Sequence, residues 1–160
     1  MNEFKIRDEI EQAYRQGLDM GFKQGVEACK VEGFGKYRKS RENTITIKGK
    51  LPSLNEYIAA CRTNPHVGAK LKQETEDLII IQLGKMKPIT SPVFIHFVWH
   101  EKTRRRDKDN VAAAKKFVLD AMQKAGKLVN DNNNYIKGFA DLFDYGSDYG
   151  VTITAEVVEE

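Results

Sequence analysis

The side chains with the clearest capacity for chemistry lie in the segment RRRDKDNVAAAKKFVLDAMQKAGKLVNDNNN, residues 104–134. Asp107 and Asp109 stand two positions apart near its start, and Asp131 stands near its end. A hard divalent cation such as Mg²⁺ takes oxygen ligands, commonly one or two carboxylates completed by water and a substrate phosphate. These three aspartates are therefore candidate ligands for Mg²⁺, with Mn²⁺ as an alternative ion.

A basic block surrounds the first aspartates. Its cations are Lys102, Arg104, Arg105, Arg106 and Lys108. Arginine contacts phosphate oxygens through two parallel hydrogen bonds, whereas carboxylates beside it would repel DNA unless a metal ion neutralised them. The combination favours a phosphate-binding surface next to a metal site over a role in solubility alone.

A strand and a helix must position these residues. The segment PVFIHFVWH is rich in β-branched and aromatic residues, which predicts a central strand covered on both faces. The next predicted element is one helix from about Asp109 to Lys124. On its helical wheel, Asp109, Lys116 and Asp120 lie within about 40° of one another, opposite the apolar residues. Those apolar residues are Ala114, Phe117, Val118, Ala121, Met122 and Ala125.

A simpler interpretation of the same charges stays open. Lys116 and Asp120 are an i,i+4 pair, worth about 0.2–0.5 kcal/mol on a helix surface, and Asp109 could be an N-cap. A calcium loop of the EF-hand type is excluded, because Val111 and Ala112 occupy positions that need an oxygen ligand and a glycine. The sequence has no phosphate-binding glycine loop and no nucleophile elbow, which disfavours nucleotide hydrolases and serine hydrolases.

The composition indicates a soluble chain. Its 160 residues, 41% hydrophobic and 31% charged, are typical of one domain with an appendage. No segment approaches the roughly 20 apolar residues of a membrane span. Acidic residues at Glu3, Asp8 and Glu9 stand where a signal peptide needs an apolar run. We therefore expect a cytoplasmic protein without membrane association. Cys29 and Cys61 are too far apart to indicate a disulfide framework or a zinc site.

The N-terminal part is predicted to be an extension. Residues 4–31 have helical periodicity, but Gly17, Gly21 and Gly25 each cost about 1 kcal/mol relative to alanine. This helix therefore either packs loosely or contacts a close partner surface. Residues 31–42 mix glycine with cations, which predicts a connector. The predicted division is a helical extension with its connector over 1–42 and a main domain over 43–160.

The other elements of the main domain are predicted from local patterns. Ile45 and Ile47 alternate with polar residues, which indicates a half-buried strand, and Ser53 or Asn55 can cap the helix that follows. The remaining predicted elements are a helix over 67–86, strands over 135–144 and 151–158, and a hairpin-type connection, YGSDYG, between these two strands. The pattern predicts a mixed α/β fold.

Three separated motifs, RRRDKDN, KKFVLDAMQKAGKLVND and the earlier LPSLNEY, together resemble the RusA-type Holliday junction resolvases. These are small dimeric endonucleases of phage and prophage origin, and the resemblance covers residues 43–160. It implies a mixed α/β fold, a symmetric homodimer, and Mg²⁺-dependent cutting of four-way DNA junctions in recombination and repair. It implies no nucleotide cofactor.

The resemblance also implies roles for individual residues. Asp107, Asp109 and Asp131 match the catalytic, metal-binding aspartates, and Lys116 matches the catalytic lysine. Lys115 remains an alternative, because NVAAAK is longer than the family's usual spacing. The expected DNA-binding residues are Lys102, Arg104, Arg105, Arg106, Lys115 and Asn55. Asn130 replaces the first residue of a pair that is commonly two aspartates, which predicts weaker metal binding.

Two interpretations from other classes remain. The chain could be a branched-DNA-binding protein with weak or no catalysis, or a phage assembly protein whose aspartates are only surface residues. Carboxylates of Asp107, Asp109 and Asp131 within about 5–6 Å of one another would fit shared ligation of a hard ion.

Overall fold

The computed structural model describes residues 37–38 and 43–158. The helix predicted over 4–31, with its three glycines, lies outside the described residues. The described elements are strands β1 (Tyr37–Arg38), β2 (Thr44–Lys48), β3 (Val93–Glu101), β4 (Ile136–Tyr145) and β5 (Gly150–Val158), and helices α1 (Leu54–Thr63), α2 (Pro65–Gln82), α3 (Lys108–Ala112) and α4 (Lys115–Lys124). A 3₁₀ turn, Leu83–Lys85, follows α2. The fold is mixed α/β.

The sheet is built around β3. Its strand order is β1-β5-β3-β4, and β2 also pairs with β5. The strand predicted from PVFIHFVWH is therefore central, as expected. Its faces differ, however: Val93 and every second residue to Glu101 are buried, whereas the residues between them are partly exposed. One face is thus fully covered and the other only partly.

The two C-terminal strands do not form the predicted hairpin. β4 pairs in parallel with β3, and β5 pairs antiparallel with the other edge of β3. Residues 146–149 therefore cross the end of β3, where the Gly146 amide donates to the Glu101 carbonyl at 3.0 Å. Local spacing alone suggested adjacency, but β3 lies between the two strands.

The helices before β3 begin at well-formed caps. Ser53, rather than Asn55, is the N-cap of α1, and it forms a capping box with Glu56. In this box the Ser53 hydroxyl accepts from the Glu56 amide, and the Glu56 carboxylate accepts from the Ser53 amide. Asn64 caps α2, and Pro65 occupies the first helical position, where its missing N–H costs nothing. No helix of the described residues is long and apolar enough to cross a membrane.

The prediction of one continuous helix from Asp109 to Lys124 is wrong, because the structure has two helices there. A turn at residues 113–114 separates α3 from α4, with 3₁₀-type bonds from Ala114 N to Val111 O at 3.0 Å and from Phe117 N to Ala114 O at 3.0 Å. Alanine strongly favours helix, so local propensity does not explain the break. Val111 and Ala114 are both buried around it. One helical wheel therefore cannot relate Asp109 to Lys116.

The apolar side of α4 was predicted well. Phe117, Val118, Ala121 and Met122 are buried, together with Ala114 just before the helix. They join the fully covered face of the sheet, including Ile95, Phe97 and Trp99, in one hydrophobic core. Burial of this apolar stripe turns the opposite side of α4 outward.

Candidate nucleic-acid interface and acidic site

Asp107 and Asp109 lie at the start of α3, just after the loop that leaves β3. Asp107 is the N-cap residue in extended conformation, but its side chain makes no capping hydrogen bond. Asp109 lies in the first turn. Both residues are exposed, and among the described residues neither side chain has a hydrogen bond or ion pair. Two carboxylates are thus presented to solvent at a helix N-terminus, where the helix dipole favours negative charge.

Lys116 connects α4 to the segment after it. Its Nζ donates to Asp120 Oδ1 at 2.6 Å and to Asp131 Oδ2 at 3.4 Å. The i,i+4 pair of the simpler interpretation is therefore present, and Asp131 is joined to it. The hydrogen bond to Asp120 is the largest influence on the pKa of Lys116, and with the bond to Asp131 it raises that pKa above its usual value. Lys116 is therefore a cation at neutral pH.

A second lysine shares Asp120. Lys72 Nζ, from α2, lies 2.8 Å from Asp120 Oδ2 and 3.6 Å from Glu76 Oε1. Burial tends to raise the pKa of Asp120, but hydrogen bonds from Lys116 and Lys72 outweigh it and lower that pKa. The Glu76 side chain is fully buried and also binds Lys124. Sequence analysis missed Lys72, because no local pattern links α2 to α4.

Lys115 points into different surroundings. Its Nζ binds Asp141 of β4 and lies 5.5 Å and 5.0 Å from the ring centres of Phe97 and Phe139. Asp141 also accepts from Trp99 Nε1 at 2.9 Å. Lys115 therefore has a structural role against the sheet, and Lys116 is the lysine beside Asp131.

A small cavity lies beside Lys116. Its volume is about 250 Å³, and its lining consists of Leu54, Tyr57, Lys72, Ala113, Lys116 and Phe117. Tyr57 and Phe117 meet there edge to face, with ring centres 5.3 Å apart. The cavity thus has mainly apolar walls, and the two lysines in its lining are both ion-paired with Asp120.

The three aspartates expected from the sequence are not gathered into one shell. Among the described residues, no group of three or more His, Cys, Asp or Glu side chains is arranged to hold a metal ion. Mg²⁺ often keeps several waters and binds through one or two carboxylates plus phosphate. Asp107 and Asp109 fit that smaller donor set by their chemistry and exposure, whereas Asp131 is engaged with Lys116.

Asn130 forms a local turn in the segment after α4. Its Oδ1 accepts a hydrogen bond from the Asn132 amide at 3.0 Å. This local turn uses one of the two lone pairs of the side-chain oxygen.

Arg106 has a structural environment unlike the rest of the basic block. Its guanidinium donates to Glu101 Oε1 at 2.9 Å and to the Leu51 carbonyl at 2.8 Å, and lies 3.4 Å from Glu56 Oε2. Burial dominates at Glu101 and raises its pKa despite Arg106. These contacts join LPSLNEY to RRRDKDN, two motifs far apart in the sequence. They also leave Arg106 poorly placed to bind DNA phosphate.

The other cations of the block are exposed. Lys102, Arg104, Arg105 and Lys108 have no ion pair with a carboxylate among the described residues. Asn55 is exposed in the first turn of α1. Four of the six expected DNA-binding residues are therefore exposed, namely Lys102, Arg104, Arg105 and Asn55, and their binding to DNA stays a prediction. Arg106 and Lys115 are held by neighbouring acids.

A comparison of the chain with protein-family models and with curated proteins finds no match.

Proposed function

We propose that the domain is a Mg²⁺-dependent endodeoxyribonuclease of the RusA type, which resolves four-way DNA junctions. The observation that carries the proposal is the pairing of Lys116 with Asp131 at 3.4 Å. This contact brings together Lys116 of α4 and Asp131 of the segment after α4, two residues that the resemblance assigns to one active site. The exposed pair Asp107 and Asp109, beside uncompensated cations, supports the same reaction.

The reaction is the hydrolysis of a phosphodiester. Water supplies the oxygen that bonds to phosphorus, one P–O bond to the sugar breaks, and the leaving oxygen takes a proton. A bound Mg²⁺, with Mn²⁺ as the alternative, would polarise the phosphoryl oxygen and lower the pKa of bound water. Asp107 and Asp109 would hold the ion as oxygen donors, with Asp131 close to the lysine of the site.

Lys116 acts in this proposal as a fixed positive charge. The hydrogen bonds to Asp120 and Asp131 that raise its pKa favour the charged form. An ammonium group beside the reacting phosphate stabilises the negative charge that develops on its oxygens. Lys102, Arg104 and Arg105 bind neighbouring backbone phosphates, whose contacts fix the register of the DNA.

The proposed active form is a symmetric homodimer. Two identical sites related by a twofold axis can cut two strands of equal polarity in a symmetric junction. A prophage origin, a role in DNA recombination and repair, and a cytoplasmic location belong to the same proposal.

Cleavage of a synthetic four-way junction by wild type and Asp109→Asn tests the proposal. We expect the variant to lose Mg²⁺-dependent cleavage and to bind the junction as tightly or more tightly, because one repulsive carboxylate becomes neutral. Asp77→Asn is the matched control, since Asp77 is an exposed acid on α2 whose side chain, within the described part of the chain, bonds only to Gln73. It should cut like wild type.

A wild-type protein that binds junctions and never nicks them in Mg²⁺ or Mn²⁺ would refute the nuclease proposal. The second candidate function, a catalytically inactive branched-DNA-binding protein, would then stand. The neutral Asn130 favours this second candidate, because the resembled family commonly has an aspartate at that position.

A further inference from the structure

Two cations of the basic loop and one at the start of α3 lie over three aromatic rings from the end of β4 and the segment after it. Lys102 Nζ is 5.4 Å from the centre of the Tyr149 ring, Arg104 Cζ is 4.5 Å from that of Tyr145, and Lys108 Nζ is 5.4 Å from that of Phe143. The pairs run in opposite chain directions, so the loop and the β4 end lie alongside each other. We call these six residues the cation–aromatic row.

The charges of the row are not compensated by acids. Lys102, Arg104 and Lys108 are exposed and have no ion pair within the described part of the chain. Arg106 and Lys115 contrast with them, because each binds a carboxylate that is largely buried, Glu101 and Asp141 respectively. Arg106 and Lys115 are thus held by carboxylates, whereas each cation of the row contacts a ring and, among the described residues, no carboxylate.

We propose that the cation–aromatic row binds unpaired nucleotides of DNA. Bases stack on aromatic rings and on guanidinium planes, while cations beside them bind the phosphates. Each ring of the row is half-buried and has a cation over it. A base would therefore stack on the Arg104 guanidinium above Tyr145, or replace a lysine above its ring while the displaced ammonium group binds the phosphate. In a continuous duplex the base faces are already stacked on each other, so only phosphates would be available to the row. Unpaired nucleotides offer both a base face that can stack and a phosphate that the cations can bind.

The bases of a four-way junction are all paired, but their stacking is interrupted at the branch point, where pairs open more readily than in a continuous duplex. The row would bind nucleotides from pairs that open there. Lys108, at one end of the row, stands between Asp107 and Asp109 in the sequence. A nucleotide bound at Lys108 would therefore lie near the start of α3, where the two exposed carboxylates also stand. In this respect the inference rests on the proposed nuclease function, which it deepens by naming unpaired nucleotides as the recognised part of the substrate.

Binding of a labelled oligothymidylate of about 15 nucleotides, compared with a duplex of equal length at the same salt, tests the row. Tyr145→Leu should raise the Kd for the oligothymidylate about tenfold or more and leave duplex binding nearly unchanged. Tyr145→Phe keeps the ring and should bind like wild type. Phe139→Leu is the matched control, since Phe139 is an exposed ring on the same strand whose nearby cation, Lys115, is paired with Asp141.

Three results would overturn the inference: no binding of oligothymidylate by wild type, unchanged binding by Tyr145→Leu, or equal losses for oligothymidylate and duplex. Thermal unfolding shows whether Tyr145→Leu is folded, and Tyr149→Leu gives the same comparison if it is not. Junction cleavage by wild type is measured in parallel. If wild type cuts the junction but Tyr145→Leu binds oligothymidylate like wild type, only the proposed role of the row is refuted. If wild type never cuts but Tyr145→Leu weakens its oligothymidylate binding, only the nuclease proposal is refuted.

Discussion

Replacing Lys115 and Lys116 separately by methionine distinguishes two adjacent lysines that have different surroundings. The Lys115 side chain is 20% exposed and its partner Asp141 is 26% exposed. Removing one member of a fully buried pair costs about 3–5 kcal/mol. Because solvent reaches this pair and Trp99 still donates to Asp141, we expect Lys115→Met to lower the free energy of unfolding by about 2 kcal/mol.

Lys116→Met should have the opposite profile. Its side chain is 63% exposed, and Asp120 keeps its ion pair with Lys72 at 2.8 Å. The stability loss should therefore be only about 0.5 kcal/mol. Loss of a positive charge that acts on the reacting phosphate should instead lower the rate of junction cleavage about 100- to 1,000-fold.

Thermal unfolding and cleavage well below the melting temperature measure the two effects. At about 4 °C per kcal/mol, Lys115→Met should lower Tm by about 8 °C and Lys116→Met by about 2 °C. The double variant Lys115→Met/Asp141→Asn should destabilise less than the sum of its single variants, because the unpaired carboxylate is removed. The reasoning fails if Lys115→Met loses cleavage while Lys116→Met retains it, or if both variants melt alike.

Two further predictions concern stability. Gly150→Ala should lower the free energy of unfolding in urea by about 1–3 kcal/mol, because the added Cβ would lie 2.6 Å from the Ile47 carbonyl oxygen. Gly146→Ala is the control, since a Cβ there would have nothing within 4 Å. Equal losses of stability in the two variants would contradict this prediction. Burial tends to raise the pKa of Glu56, but hydrogen bonds from Lys50 and from the Ser53 amide and hydroxyl prevail and lower it from 4.5 to about 2. This carboxylate should therefore stabilise the fold above about pH 4.5 and lose its effect as the pH falls toward 2; after discounting for solvent screening the contribution is about 1 kcal/mol. The difference in free energy of unfolding between wild type and Glu56→Gln should shrink as the pH falls from about 4.5 toward 2. A difference that stays constant over this range would refute the predicted role of Glu56.

The local features of the site followed from the sequence. A run of β-branched and aromatic residues indicated the central strand, and the spacing of apolar residues indicated the buried side of α4. The separation of Lys116 and Asp120 by four residues predicted their pair, which is present at 2.6 Å. Such features depend on neighbours within a few residues, because strand alternation and helical repeat are local properties of the backbone.

Only the tertiary structure decided how these pieces meet. It placed β3 between β4 and β5, interrupted the helix before Lys115, and brought Lys72 to Asp120. It also directed Lys115 toward Asp141, although the two adjacent lysines are alike in sequence. These outcomes depend on which buried surfaces pack together across the chain, and packing between distant segments overrides local propensity. The sequence therefore determined which residues could form a site, while long-range packing determined which of them face one another.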